Sequence, residues 1–157
     1  MTKNRQSGFT LLEGIIVMSI LAVLSAIGAP TLSESLRKRE TSGAADQFAA
    51  VHSLARATAV RFGRVAELHI SPSGKKVWVE VDTSATGIGQ RATVGYQRRL
   101  DQTTGLQMTS NRTKICFDAR GIATTVGTCE AGDVQAIFTM TGVADTINAT
   151  VLGKILR

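Results

Sequence analysis

Aromatic and imidazole side chains are scarce in this chain. Its 157 residues include one Trp, one Tyr, five Phe and two His. So few rings argue against a stacking platform for single-stranded nucleic acid. His52 and His69 fall on different expected elements, with no nucleophile or carboxylate spaced to work with either, so no catalytic set stands out. Each reads as a surface residue, His52 on a helix and His69 on the outward side of a strand. Cysteine is equally sparse. Cys116 and Cys129 have no histidine beside them, which fits a disulfide better than zinc; the alternative is a pair of unbonded buried thiols. The glycine-rich stretch 83–90 lacks the Gly-Lys-Ser/Thr that completes a phosphate-binding loop. There is no internal repeat and no low-complexity segment. These absences predict a protein that is not an enzyme and carries neither cofactor nor metal.

Charge is missing from one stretch in particular. Between Phe9 and Ser33 the only charged residue is Glu13. A helix from Phe9 to Ala29 would be about 32 Å long at about 1.5 Å per residue. That matches a hydrocarbon core about 30 Å thick, so the segment is a candidate membrane span. A secretory signal peptide is the rival reading, with Lys3 and Arg5 as its basic start and Ala26-Ile27-Gly28 as a weak cleavage site. The run is long for a signal core, and Glu13 lies in its first third. A carboxylate at mid-membrane costs about 2.5–3.5 kcal/mol, less near the end of a span, which makes such a residue a functional candidate.

A short basic leader ending in Gly8, then Phe9-Thr10-Leu11-Leu12-Glu13 and an apolar helix, resembles the N-terminus of type IV pilins and pseudopilins. The likeness covers about Ser7 to Pro30. It implies that a prepilin peptidase cuts between Gly8 and Phe9 and that the same enzyme N-methylates Phe9. It also implies that Glu13 serves subunit assembly, and it places Pro30 where many pilins have a helix-loosening proline. Physics offers a reason for the glutamate. Cleavage at Gly8 would create an α-amino cation on Phe9. Glu13 can pair with that amine on a neighbouring subunit or on its own chain, offsetting the cost of burying either charge alone. The positive end of the helix dipole favours the carboxylate as well.

On this reading residues 1–8 are the leader, 9–33 the transmembrane and assembly helix, and 34–157 a globular domain. The formal net charge is +6; losing Lys3 and Arg5 leaves +4, a balance that permits an anionic partner without requiring one. Orientation from charge is ambiguous, because Arg37-Lys38-Arg39 follow the span that Lys3 and Arg5 precede. The cleavage motif decides it: leader inside, domain in the periplasm, the chain held once in a bacterial inner membrane. A Cys116–Cys129 disulfide agrees with that compartment and would add about 3 kcal/mol by chain-entropy reasoning.

Past Pro30 the chain is expected to continue as a solvated helix, weaken at Thr41-Ser42-Gly43, and resume over 44–62. Phe48, Val51, Ala55, Ala59 and Phe62 would then form the buried stripe, with Gly63 as the stop. The period then changes to two. Strands are expected at 65–71, 77–81, 93–98, 106–109, 114–117 and 122–126, with a closing pair at 134–140 and 146–152. The fold class is α+β and pilin-like: a long, broken N-terminal helix whose first half spans the membrane, then an antiparallel sheet. The helix-then-sheet order, Leu54-Ala55-Arg56-Ala57, an early strand with Trp78, and Ile115 to Gly121 before a late strand are similar to one branch of the family. That branch holds the type II secretion minor pseudopilin H and the FimT-like minor pilins.

The resemblance implies a structural subunit of a type II secretion pseudopilus or a type IV pilus, at the tip or in assembly priming. Its implied partners are the prepilin peptidase, other major and minor pilins or pseudopilins, and the inner membrane. An alternative is a DNA-binding minor pilin acting in DNA uptake, with double-stranded DNA as partner. FimT-like tails carry Gly-Arg-x-Arg; here Gly153 is followed by Lys154 and, one place late, Arg157. Lys keeps the charge but loses the bidentate fork. A basic tail with no partner is the plainer reading of the same residues, and a single-pass anchor with no assembly role is the plainest reading of the whole chain.

Overall fold

The computed structural model describes residues 10–83, 90–101, 105–125, 129 and 132–157. The chain divides into two units, Met1–Leu36 and Arg37–Arg157. One α-helix, α1 (Leu11–Phe62), begins in the first and ends in the second.

The expected breaks in α1 do not occur. Pro30 lies inside the helix, where it forfeits one backbone hydrogen bond. Nearby hydroxyls keep the carbonyls on either side engaged: Thr31 Oγ1 donates to Ile27 O at 3.2 Å and Ser33 Oγ to Pro30 O at 2.8 Å. Interrupting the helix would strip several backbone groups of partners, a heavier loss in apolar surroundings than one missing bond. At the second expected weak point, Thr41 is buried and its hydroxyl donates to Arg37 O and Lys38 O. Gly43 costs the helix about 1 kcal/mol, but Ala44, Ala45 and Phe48 beside it are all in the core. The helix expected over 44–62 is therefore the far end of α1. It stops where expected: the Gly63 N–H bonds Val60 O and the Arg64 N–H bonds Ala59 O, with Gly63 at φ 61°. That pair of bonds is the Schellman arrangement, which needs a left-handed residue at Gly63.

Among the described residues eight strands follow: β1 (Ala66–Ser71), β2 (Lys76–Asp82), β3 (Arg91–Arg99), β4 (Gln107–Ser110), β5 (Lys114–Phe117), β6 (Val134–Met140), β7 (Val143–Ala149) and β8 (Ile155–Leu156). They build two four-stranded sheets in the orders β3-β2-β1-β5 and β4-β6-β7-β8, antiparallel throughout. The strand expected at 122–126 reduces, among the described residues, to a single bridge between Phe117 and Ala123; residue 126 lies outside them. Of the expected closing pair, the first strand keeps its bounds at Val134–Met140 and the second shifts to Val143–Ala149, because β6 and β7 join through the tight turn Thr141-Gly142. The short strand β8 was not expected from the sequence.

Period-two alternation sets the inner faces. Ala66, Leu68 and Ile70 of β1 stand opposite Val81, Val79 and Val77 of β2, and all six are buried. In the second sheet Val134, Ala136 and Phe138 are buried in the same way. These faces and the α1 stripe make one core cluster. The Phe48 ring meets Phe138 at 6.1 Å between centroids, and one turn later His52 meets Phe117 edge-on at 5.1 Å. Neighbouring turns of α1 thus touch different sheets. Phe62, expected in the buried stripe, is 48% exposed, and His52, expected at the surface, is only 1% exposed. Position 52 is one turn after Phe48, so the buried stripe runs through it, whereas Phe62 is the last residue of α1, with the Arg61 guanidinium over its ring.

Burial, helped by the nearby Arg56 cation, pushes the His52 imidazole from its ordinary 6.5 down to about 4. Its Nδ1 has no hydrogen-bond partner. Between those two values the unfolded chain binds a proton that the folded chain refuses, so folding stability falls as pH drops from 6.5 towards 4. The loss is on the order of 3 kcal/mol at about 1.36 kcal/mol per pH unit. We expect chemical denaturation of the full chain in detergent to show this decline, and His52→Leu to flatten it. An unchanged slope between pH 6.5 and 4 in His52→Leu would assign the acid sensitivity to other groups.

Candidate functional site

The N-terminal unit begins with a capped helix. Thr10 precedes α1, and its Oγ1 accepts a hydrogen bond from the Glu13 N–H at 3.3 Å. Glu13 is the third helical residue and the acidic group of the first turn, where the N–H dipoles favour a carboxylate. Its side chain is exposed, and among the described residues it has no ion-pair partner. Around and beyond it Leu11, Leu12, Ile15, Ile16, Met18 and Ile20 are exposed, continuing through Leu36. Ser19 and Ser25 fold their hydroxyls back onto the Ile15 and Leu21 carbonyls at 2.8 and 2.7 Å, which hides their polarity from an apolar neighbour. The segment is long and apolar enough to cross a membrane. The two other N-terminal site residues expected from the sequence, Gly8 and Phe9, lie outside the described residues.

In the globular unit Cys116 and Cys129 are joined as a disulfide, with Cα atoms 5.7 Å apart. The bridge fastens β5 to the segment that follows the Asp118–Gly121 turn. In that turn Asp118 Oδ1 accepts from the N–H groups of Arg120 and Ile122 at 2.9 and 3.0 Å. The Ile122 bond leads the contacts that hold the Asp118 carboxyl below its usual range.

The C-terminal tail is tied down. Arg56, on α1, donates Nε to Gly121 O and Nη1 to Gly153 O, both at 3.0 Å. Gly153 has φ 76°, and a Cβ there would lie 2.3 Å from Arg56 Nε, so only glycine lets the guanidinium through. Beyond it β8 pairs with β7. Arg157 then donates Nε to Asp145 at 3.1 Å and Nη1 to Asp46 Oδ1 at 2.9 Å, while Nη2 reaches Ser42 Oγ and Asp145 Oδ2. The bonds to Asp145 are the main reason the Arg157 pKa is raised. Of the two residues expected to meet DNA, Lys154 is exposed, but Arg157 has spent its fork on carboxylates of its own chain. No local sequence signal reveals this arrangement, since the Arg157–Asp46 partners are 111 residues apart.

A capped apolar helix carrying a lone carboxylate, followed by a globular unit that packs two antiparallel sheets on the helix's far end, defines a pilin-like subunit. Residues 3–29 match the prokaryotic N-terminal methylation motif, and residues 44–150 match the family described as Type II transport protein GspH. The chain belongs to that family. Solved structures repeat the fold. The type IV minor pilin FimU of Pseudomonas aeruginosa has a TM-score of 0.57 at 16% identity, over 75% of this chain and 87% of that one. The minor pseudopilin EpsH of the Vibrio cholerae type 2 secretion system has a TM-score of 0.54 at 16% identity, over 74% and 94%. No curated protein matches the sequence.

Arg157→Ala should free β8. The tail pairing is partly solvated, so the cost to global stability should be only about 1 kcal/mol. Amide exchange across the β7–β8 pairing should nevertheless speed up, and Arg157→Lys, lacking the fork, should restore little of the protection. Unaltered exchange in Arg157→Ala would show that the tail is held by other contacts.

Proposed function

We propose that this chain is a minor pilin or pseudopilin subunit. It is cut between Gly8 and Phe9 by a prepilin peptidase, N-methylated on Phe9, and held in the inner membrane with residues 34–157 in the periplasm. From there it passes into the fibre of a type II secretion system or a type IV pilus, at the tip or as a primer of assembly. One observation carries the reading: an exposed carboxylate, without a described partner, in the first turn of an exposed apolar helix within a methylation motif. A carboxylate so placed calls for a cation from outside its own helix, and the new α-amine of a processed subunit supplies one. The Cys116–Cys129 disulfide supports an oxidising compartment.

The DNA-uptake alternative draws on the basic balance, Lys154 and Arg157. The commitment of Arg157 to Asp46 and Asp145 weighs against it, because a guanidinium already bound to two carboxylates offers little to phosphate. Glu13→Ala should be processed at Gly8 as usual, yet fail to enter fibres in a blot of sheared surface material. Normal incorporation of Glu13→Ala would refute the assembly role of the carboxylate.

A further inference from the structure

The outward face of the first sheet gathers groups that the proposed function leaves unused. With Ala66, Leu68 and Ile70 turned inward, Glu67 and His69 of β1 must face out, and the register sets Glu80 opposite Glu67 and Trp78 opposite His69. We propose that Glu67, His69 and Glu80 form a binding site for a first-row divalent cation, Zn2+ being the best fit. The proposal is independent of the assembly reading.

Three observations carry it. First, the distances suit a shared ion. His69 Nε2 lies 3.2 Å from Glu67 Oε2 and 3.3 Å from Glu80 Oε2. Tetrahedral bonds of about 2.0–2.1 Å place ligand atoms about 3.3–3.4 Å apart. Second, His69 Nε2 is buried and makes no hydrogen bond, although two carboxylate oxygens are within reach. Third, neighbours orient the donors. The His69 ring stacks on Trp78 at 5.0 Å with 8° between planes, and Trp78 Nε1 donates to Glu80 Oε1 at 2.8 Å. That bond leaves Oε2 facing the imidazole, as outer-shell partners do in metal sites. One nitrogen and two oxygens favour zinc over the all-oxygen shells of calcium and magnesium.

Two side-chain cations oppose the ion. Arg91 Nη1 contacts Glu67 Oε2, and Lys114 Nζ lies 3.5 Å from the same oxygen. They already balance the two carboxylates, so a metal must displace one of them. Arg91 is the one to yield, being 49% exposed against 20% for Lys114. Affinity should therefore be moderate and should rise when Arg91 loses its charge. A merely structural ion-pair cluster would not behave in that way. The Cys116 and Cys129 sulfurs also lie close to Glu67, but they are bonded to each other.

The test is titration of the metal-stripped full chain, in detergent, with ZnCl2 alone. We expect one Zn2+ per chain, weakened at least about 10-fold by His69→Ala and by Glu80→Gln, and tightened by Arg91→Gln. X-ray absorption of the loaded protein should show nitrogen and oxygen at about 2.0 Å and no sulfur at about 2.3 Å. Glu80→Gln keeps the size of the side chain and an acceptor for Trp78, so it decides the matter if His69→Ala does not fold. Absence of saturable one-to-one binding, affinity unchanged in Glu80→Gln, affinity lowered in Arg91→Gln, or a sulfur shell would each overturn the proposal.

Discussion

Exposed apolar surface on the first part of α1 is the constraint on which the rest depends. Leu11, Leu12 and Met18 are 85%, 68% and 72% exposed, and a helix of that composition is not left bare to water. Lipid or neighbouring helices must cover it. Both settings are intolerant of unpartnered polarity, and the sequence answers accordingly. Thr10 caps the helix start, serine and threonine hydroxyls return to the backbone, and the helix passes through Pro30 without opening. Glu13 is the exception, and the proposed assembly role rests on its placement in the first turn of that helix.

The globular unit solves a different problem. The α1 stripe is built largely of alanine, with Ala44, Ala45, Ala55 and Ala59 all buried. Such small residues let the sheets approach closely but contribute little apolar area each. The larger contribution comes from Phe48, Phe117 and Phe138, one on the helix and one in each sheet. Braces at the edges supplement this thin core: the disulfide at β5, Arg56 across two turns, and Arg157 across β7 and α1. His52 is the anomaly, a buried imidazole where an apolar side chain would serve, and it makes the core sensitive to acid.

Much of this was legible in the sequence because it is local. Gly63 marked the helix end, the period of two marked a strand over 77–81, and Lys114–Phe117 was placed at its true bounds. The pairing of Cys116 with Cys129 was legible too, since two cysteines leave one partner choice. What failed to show depends on direction or distance. His52 and Phe62 were exchanged because the stripe's angle is fixed by contacts made in space, Phe48 with Phe138 and His52 with Phe117. Pro30 and Gly43 read as breaks because their compensation comes from neighbouring hydroxyls and core packing rather than from propensity. The strand β8 was too short for a periodic signal, and its anchors Asp46 and Asp145 lie far off in sequence. Glu67, His69 and Glu80 have no recognisable metal spacing along the chain; the β1–β2 register alone brings them together.

These elements serve one account, in which an aromatic residue becomes the new N-terminus and its amine is matched to an intramembrane carboxylate. Intact-mass and N-terminal peptide spectrometry of the protein from its native membrane tests this most directly. The account predicts a chain beginning at Phe9 and carrying one extra methyl group on its amine. A chain that retains residues 1–8 in cells with an active prepilin peptidase would contradict it.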